Sequence, residues 1–489
     1  MNRKTLLPLL IAPLFASTLA QASVDLIAIG NISGTYQDLA LQTAAPLENG
    51  VAGNRLGGIG SGLAYAGGSI FLALPDRGPN ANPYNPLVDD TVSYIDRFHT
   101  FSFNLAPSEP GSMLPFTLTP ILRDTTLLSS ARPLVYGSGV GLDLGSGEPA
   151  LNAVNHTHYF TGRSDNFDPS RPSTNPNNAR LDPEAIRVAR NGNSVFISDE
   201  YGPYVHQFDR KSGKRINSFK LPDNLAISTL SPQKDVEIDN NAVGRVTNKG
   251  MEGLAITPDG RMLVGFMQAN LEQDKKKSLR IVTIDIKRGT THEYAYKLTD
   301  GSGVSEIVAV NDHQFLVDER DGSGMADAPG LDEEASAAEV KKLYLIDLNG
   351  AEDISGVTGP NADLSSYAVP KIPFLDIVAK LKGAGIDPLF IPSKIEGLAF
   401  GQDVVIDGKT RHTLFISNDN DFLAYIADPT KMPGDASRGY VENPNLIYVF
   451  AFGDSDLPGY VPQAIDRDRD FSCYDPEGNN GDAKDSGRW

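Results

Sequence analysis

Cysteine is all but missing from this chain. Cys473 stands alone, so no intramolecular disulfide can form and no zinc site can be built on cysteine pairs. Stability must come from a buried core, which 489 residues are ample to supply. Long apolar runs are missing beyond the first residues, and a membrane-spanning helix needs about 20 of them. Positive charge is scarce, with a formal net charge of −19. An acidic surface repels phosphate backbones and argues against nucleic acid as a partner. No Gly-x-Ser-x-Gly elbow occurs, which speaks against a serine esterase of the α/β-hydrolase type. Gly60-Ser61-Gly62 and Gly137-Ser138-Gly139 read as turns instead. No phosphate-cradling loop with the full Gly-x-x-x-x-Gly-Lys-Ser/Thr spacing and no dinucleotide fingerprint are present.

What is present begins with a secretory leader. Arg3 and Lys4 form a basic start, Leu6 to Leu19 is a short apolar stretch interrupted by Pro8 and Pro13, and Ala20-Gln21-Ala22 fits a small-x-small cleavage site. This pattern predicts removal of residues 1–22 and a periplasmic or secreted mature chain, 23–489, forming one domain with its core at about 50–455. Gly 47 and Pro 33 are numerous and sit in short turn-like clusters. That spacing favours many short strands over long helices.

A weak internal repeat runs through the chain, and five copies can be counted. Each is a hairpin: a glutamate or glycine opens an alternating apolar strand, a turn follows, and a return strand ends in charged residues. The copies open at Gly62, Glu184, Glu252, Glu306 and Glu396, and four of them close on Asp76-Arg77, Asp199-Glu200, Glu319-Arg320 and Asp419. Asn191-Gly192 and Pro258-Asp259-Gly260 are strong hairpin turns. Further strand-like runs follow, such as His99–Asn104, Val205–Asp209, Arg280–Ile286, Lys342–Leu348 and Leu446–Phe452. Hairpins of this kind at long, uneven spacing predict an all-β chain folded as a β-propeller. Six blades are favoured over five or seven, because segments 24–45 and 131–180 offer material for another. Pro373–Lys382 reads as a helical surface element.

The repeat has a chemical consequence. In an antiparallel hairpin the start of one strand lies beside the end of the next. Blade repetition would carry both ends around one rim. Glu184, Glu252, Glu306 and Glu396 are therefore expected at one shared cavity, near Asp199, Glu200, Glu319 and Asp419. Grouped carboxylates are costly unless a cation compensates them. Arg77 and Arg320 offer part of that charge, and a hard cation such as calcium suits the remaining oxygen donors. The competing reading is that each glutamate only caps a strand or ties neighbouring blades together. His156 and His158 could share one strand face as metal ligands, but no third ligand is in view. Lys275-Lys276-Lys277 reads as a solvated turn.

Several stretches carry a resemblance. Arg180-Leu181-Asp182-Pro183-Glu184-Ala185-Ile186, Ser198-Asp199-Glu200-Tyr201-Gly202-Pro203, Lys249-Gly250-Met251-Glu252-Gly253-Leu254-Ala255 and Lys394-Ile395-Glu396-Gly397-Leu398-Ala399 resemble the bacterial phytase-like family, whose members are labelled "esterase-like activity of phytase". The turns Asp76-Arg77-Gly78-Pro79-Asn80 and Asp318-Glu319-Arg320-Asp321 fit as well. The resemblance implies a propeller, export and a hydrolase. The Arg-His-Gly motif of histidine acid phosphatases is absent, and so is the Asp-Asp-Pro-rich signature of calcium-dependent propeller phytases.

The expected function is hydrolysis of phosphate or other small-molecule esters by a monomer with no membrane span. Ca²⁺ would sit among Glu184, Asp199, Glu200, Glu252, Glu306, Glu319, Glu396 and Asp419. Catalysis would rest on Glu184, Glu252, Arg77 and Arg320. A non-catalytic propeller that binds a ligand or partner around structural calcium is the alternative. Lactonase or sugar-dehydrogenase chemistry is a third possibility.

Overall fold

The computed structural model describes residues 24–80, 83–139, 142 and 144–466. The proposed leader, 1–22, lies outside them. The described residues form a ring of five antiparallel sheets, four with four strands and one with a short fifth strand at its edge. The innermost strands are Gly62–Tyr65, Pro183–Val188, Met251–Ile256, Gly303–Ala309 and Ile395–Phe400. Each touches the innermost strand of the next blade, and the fifth touches the first. The chain is therefore a β-propeller with all five sequence hairpins at its axis.

Local chemistry makes these hairpins. In the third blade Gly260 takes a φ of +69°, which side chains disfavour. Asp259 accepts hydrogen bonds from the Thr257 hydroxyl (2.7 Å) and the Arg261 N–H (3.0 Å), which fixes the turn. The strand-like runs seen in the sequence form the third strand of each blade, as in Arg97–Pro107 and Ser278–Asp285.

Among the described residues the favoured sixth blade does not form. Asp25–Ile32 pairs with Asn445–Phe452 and completes the fifth blade. The segment at 131–180 folds as an insertion, with a helix at Ala150–Asn155 and a two-residue pairing of Ser129–Ser130 with His158–Tyr159. His156 lies at the end of that helix, exposed, with a left-handed backbone (φ +51°), so it shares no strand face with His158.

The apolar faces pack between blades. Phe71 lies 4.8 Å from Phe103 and 4.5 Å from Phe415, joining the first blade to the fifth. Burying three aromatic rings of this size dominates such a contact. The helical element is shorter than the sequence suggested. Lys371–Asp376 is the outer strand of the fourth blade, and Ile377–Gly383 is the helix. Asp376 caps it by accepting the Ala379 N–H at 2.9 Å. Its Ile377, Val378 and Leu381 are buried in a core cluster with Leu343 and Ile395, so it is core on one face rather than a surface element. No helix among the described residues is long and apolar enough to cross a membrane.

Candidate functional site

At one end of the axis the inner strands begin and the second strands finish. Four inner strands lose register here. Pairing skips Glu184-Ala185, Glu252, Ser305 and Glu396-Gly397, while the first blade stays regular. A bulged residue leaves the ladder and its side chain is re-aimed. Aligning the blades through these pairings gives two rows. The position of Glu252 is held by Ser61, Glu184, Ser305 and Glu396 in the other blades. The position of Gln268 on the second strand is held by Asp76, Glu200, Arg320 and Asp419.

These rows surround a cavity of about 250 Å³. Glu184, Glu252, Ser305 and Glu396 line it from the first row, and Asp76, Glu200, Gln268 and Arg320 from the second. Arg77, Lys249 and Lys394 add positive charge to the wall. Asp419 stands just behind, bonded to Lys394 at 2.7 Å, and Lys394 also holds Asp421 at 2.6 Å.

Three residues expected at the cavity lie elsewhere. Glu306 occupies the position of Gly253, one residue past the bulge. It is fully buried, pairs with Arg187 at 2.8 Å, and accepts the N–H groups of Leu254 (3.0 Å) and Ile307 (2.9 Å). Asp199 sits one residue before the lining row. Its carboxylate accepts the N–H groups of Asp182 (2.9 Å), Tyr201 (3.1 Å) and Gly202 (2.8 Å), bracing a turn. Glu319 makes the same one-residue shift and faces away from the axis. It bonds the Tyr296 hydroxyl (2.6 Å) and the Lys371 ammonium. A shift of one residue on a strand turns a side chain to the opposite face, and that separates all three from the site.

Arg187 crosses the axis outside the cavity lining. Its guanidinium donates to the carbonyls of Leu63 (2.7 Å), Ile186 (2.6 Å) and Ile307 (3.0 Å), linking the first, second and fourth blades across the axis. The Arg187–Glu306 pair thus ties blades together across the axis without lining the cavity.

Three of the cavity cations, Arg77, Arg320 and Lys394, have internal partners. Arg77 pairs with Asp182 at 2.7 Å and also touches Asn248. Arg320 pairs with Glu396 and donates to Ser305 at 2.5 Å. Among the described residues no hydrogen bond or ion pair reaches the Glu184 carboxylate, although the residue is only 8% exposed. Oxygens of Asp182, Glu184 and Glu200 lie within 4.8 Å of one another, as do those of Asp76, Asp419 and Asp421.

Burial governs the protonation of these acids. It pushes Glu184 well above the usual carboxylate range, helped by Glu252, Asp182 and Glu200 nearby. Burial, then Glu200 and Glu396, do the same to Glu252. Glu200 rises to about 7, through burial and then Asp182, and shares a hydrogen bond with Glu252. Asp419 also rises to about 7, chiefly by burial. Asp76 is lifted well above its ordinary value by burial and then by Asp419. Like charges packed in a dry cavity favour the neutral form unless a cation enters.

Sequence reasoning missed Asp182, Lys394, Ser61 and Ser305. Asp182 and Lys394 stand inside the motif stretches, immediately before the residue that precedes the bulge, at the positions of Asp182-Pro183-Glu184 and Lys394-Ile395-Glu396. The serines break the acidic pattern and carry no signal of their own.

A family model described as "Phytase-like: Esterase-like activity of phytase" matches residues 54–422. An "Uncharacterized secreted protein" of Arthroderma benhamiae is 28% identical over 285 residues, covering 50% of this chain and 52% of the relative. The chain thus spans about half the length of the curated relative it matches. Among solved structures, Kuenenia stuttgartiensis hydrazine synthase aligns with a TM-score of 0.28 and 11% identity, over 75% of this chain and 78% of that one. A putative 6-phosphogluconolactonase from Bacteroides uniformis aligns with a TM-score of 0.29 and 11% identity, over 79% of this chain and 88% of that one.

Proposed function

Because the chain belongs to the phytase-like family described by esterase-like activity, we propose that it hydrolyses phosphate or other esters in the axial cavity with metal assistance. The Glu200–Glu252 pair carries this reading. Two buried carboxyls share a hydrogen bond, with Glu252 held protonated and Glu200 poised at about 7. One can give a proton to a leaving group while the other takes one from water, the division of labour that opposed pKa values allow. Arg320, steadied by Glu396 and Ser305, and Arg77 would face the negative charge of the reacting group.

The donor set fits a hard cation. Calcium takes six to eight oxygens at about 2.3–2.6 Å, and Asp182, Glu184 and Glu200 offer three carboxylates within 4.8 Å of one another. When bound, such an ion supplies Lewis acidity and lowers the pKa of attached water. Glu184, which has no protein partner, would be its anchor. The volume of about 250 Å³ suits one ester group and its nearest substituents.

The secreted relative and the leader pattern support export to the periplasm or beyond, with a mature N-terminus near Ser23. Mass spectrometry of cell-fractionated protein would test this, and an intact Met1 in that fraction would contradict it. The activity is tested with p-nitrophenyl phosphate, p-nitrophenyl acetate and phytate, each with calcium and with chelator. Turnover that chelator removes is the expected result. The second reading, a ligand-binding propeller with structural calcium, is favoured by the internal pairing of Arg77, Arg320 and Lys394. Turnover of none of the three substrates, with calcium still bound, would select it.

A further inference from the structure

Arg77 and the acidic wall compete for one carboxylate. Both oxygens of Asp182 are engaged by Arg77: Oδ2 accepts from the guanidinium at 2.7 Å, and Oδ1 accepts from the Arg77 backbone N–H at 3.2 Å. Yet Asp182 is also one of the three acids whose oxygens converge within 4.8 Å. The other two are not similarly committed to a cation. Glu200 accepts the Gly250 N–H at 2.9 Å, and Glu184, more than nine-tenths buried, accepts nothing from the described residues. A buried carboxylate with no partner aimed at a cavity is an incomplete site. The guanidinium is incomplete too. The Arg77 Nε is buried without a hydrogen-bond partner, while the side chain as a whole keeps 14% exposure on the cavity wall.

We propose that Asp182, Glu184 and Glu200 form a divalent-cation site, and that its occupation draws Asp182 from Arg77 and turns the freed guanidinium into an anion-binding arm. This rests on the metal-assisted reading of the cavity and adds to it a regulation: the cation and the anionic substrate bind cooperatively. The chemistry is that of ligand exchange. A divalent ion outcompetes one guanidinium for a carboxylate flanked by two more oxygen donors. Arg77 then offers a planar fork of N–H donors, suited to phosphate or carboxylate groups. Asn248, which also accepts from the guanidinium, can hold it at the rim during the exchange.

Calorimetry on the mature protein reads this without any turnover. The probes are calcium chloride and phenylphosphonate, a phosphate-ester mimic that is not hydrolysed. Saturating calcium is expected to tighten phenylphosphonate at least ten-fold, and phenylphosphonate must tighten calcium by the same factor. Glu184→Gln should weaken calcium at least ten-fold. Arg77→Gln should tighten calcium alone and reduce the coupling to less than two-fold. Asp182→Asn keeps the shape but not the charge, so it should weaken calcium and strengthen phenylphosphonate in calcium-free buffer. That variant keeps the proposal testable if Arg77→Gln does not fold. The proposal is overturned if calcium leaves phenylphosphonate affinity unchanged, if the coupling survives in Arg77→Gln, or if Asp182→Asn leaves calcium-free phenylphosphonate binding at its original strength. Coupling without turnover of p-nitrophenyl esters would sink the hydrolase reading alone. Turnover without coupling would sink only this one.

Discussion

Replacing Arg187 with Met tests the brace across the axis. The guanidinium makes hydrogen bonds to three backbone carbonyls on three blades and an ion pair with Glu306 at 2.8 Å. Met keeps much of the volume and removes every one of these bonds. Glu306 would then be a fully buried acid supported only by the N–H groups of Leu254 and Ile307. Removing one member of a buried pair costs about 3–5 kcal/mol, because the other charge is left uncompensated. Glu306 already stands at about 7, since burial outweighs the pull of Arg187 and the two N–H groups. Without Arg187 its proton is held more tightly, so the loss should be largest at pH 8 and smaller at pH 5, where the neutral acid is available. Urea midpoints with an unchanged slope would report the difference directly. The double variant Arg187→Met/Glu306→Leu should recover most of the loss, since an apolar pair of similar volume can replace a buried ion pair. A loss under about 1 kcal/mol for the single variant at pH 8 would refute the view that this pair braces the ring.

Glu252→Gln should lower activity by about 10²-fold or more, the usual worth of a general acid. The protein should still fold in calcium-free buffer. A lower melting temperature with unaltered turnover would instead make Glu252 a brace. The calcium-free protein should lose stability as pH rises. Glu200 and Asp419 are raised to about 7 from 4.5 and 3.8, so their contribution is whole below the unfolded values and gone once pH passes 7. For Glu200 alone the change is about 3 kcal/mol. Denaturation of chelated protein from pH 4 to 8 checks it, and stability that rises over that span would contradict it. Asp376→Ala should cost about 1 kcal/mol through loss of the helix cap, read as a shifted denaturation midpoint, and no change would deny the cap a role.

The hairpin periodicity was legible because the turn chemistry and the alternation agree in every copy. Blade number was less so. Asp25–Ile32 is a strand by its pattern, but pattern cannot tell the first strand of a new blade from the last strand of an old one. At the rim, the sequence aligned Glu306 with Glu252, since both are glutamates that open an apolar run. The register instead equates Glu252 with Ser305, and the glutamate falls on the packing position of Gly253. A Cβ added at Gly253 would lie 3.0 Å from the Ile307 nitrogen, so this ring of positions is crowded against the neighbouring blade. Only the bulge settles which residue faces the axis, and a bulge leaves no residue signature. The same slip carried Asp199 and Glu319 into the expected set. Asp182 escaped notice because an acid before a proline reads as a turn residue.

The strand Asp25–Ile32 meets its partner Asn445–Phe452 across nearly the whole length of the chain. The first strand of the described residues is therefore the last to be housed. Until the final one emerges, the unfinished fifth blade shows a bare row of N–H and C=O groups, a template for a stray chain. Closure of the ring must also wait for the most distant pairing in the molecule, the kind that slows folding. A protein that ends its assembly where it began completes its fifth blade only at the final step, and a chain that lost either of these two strands would leave that blade unfinished.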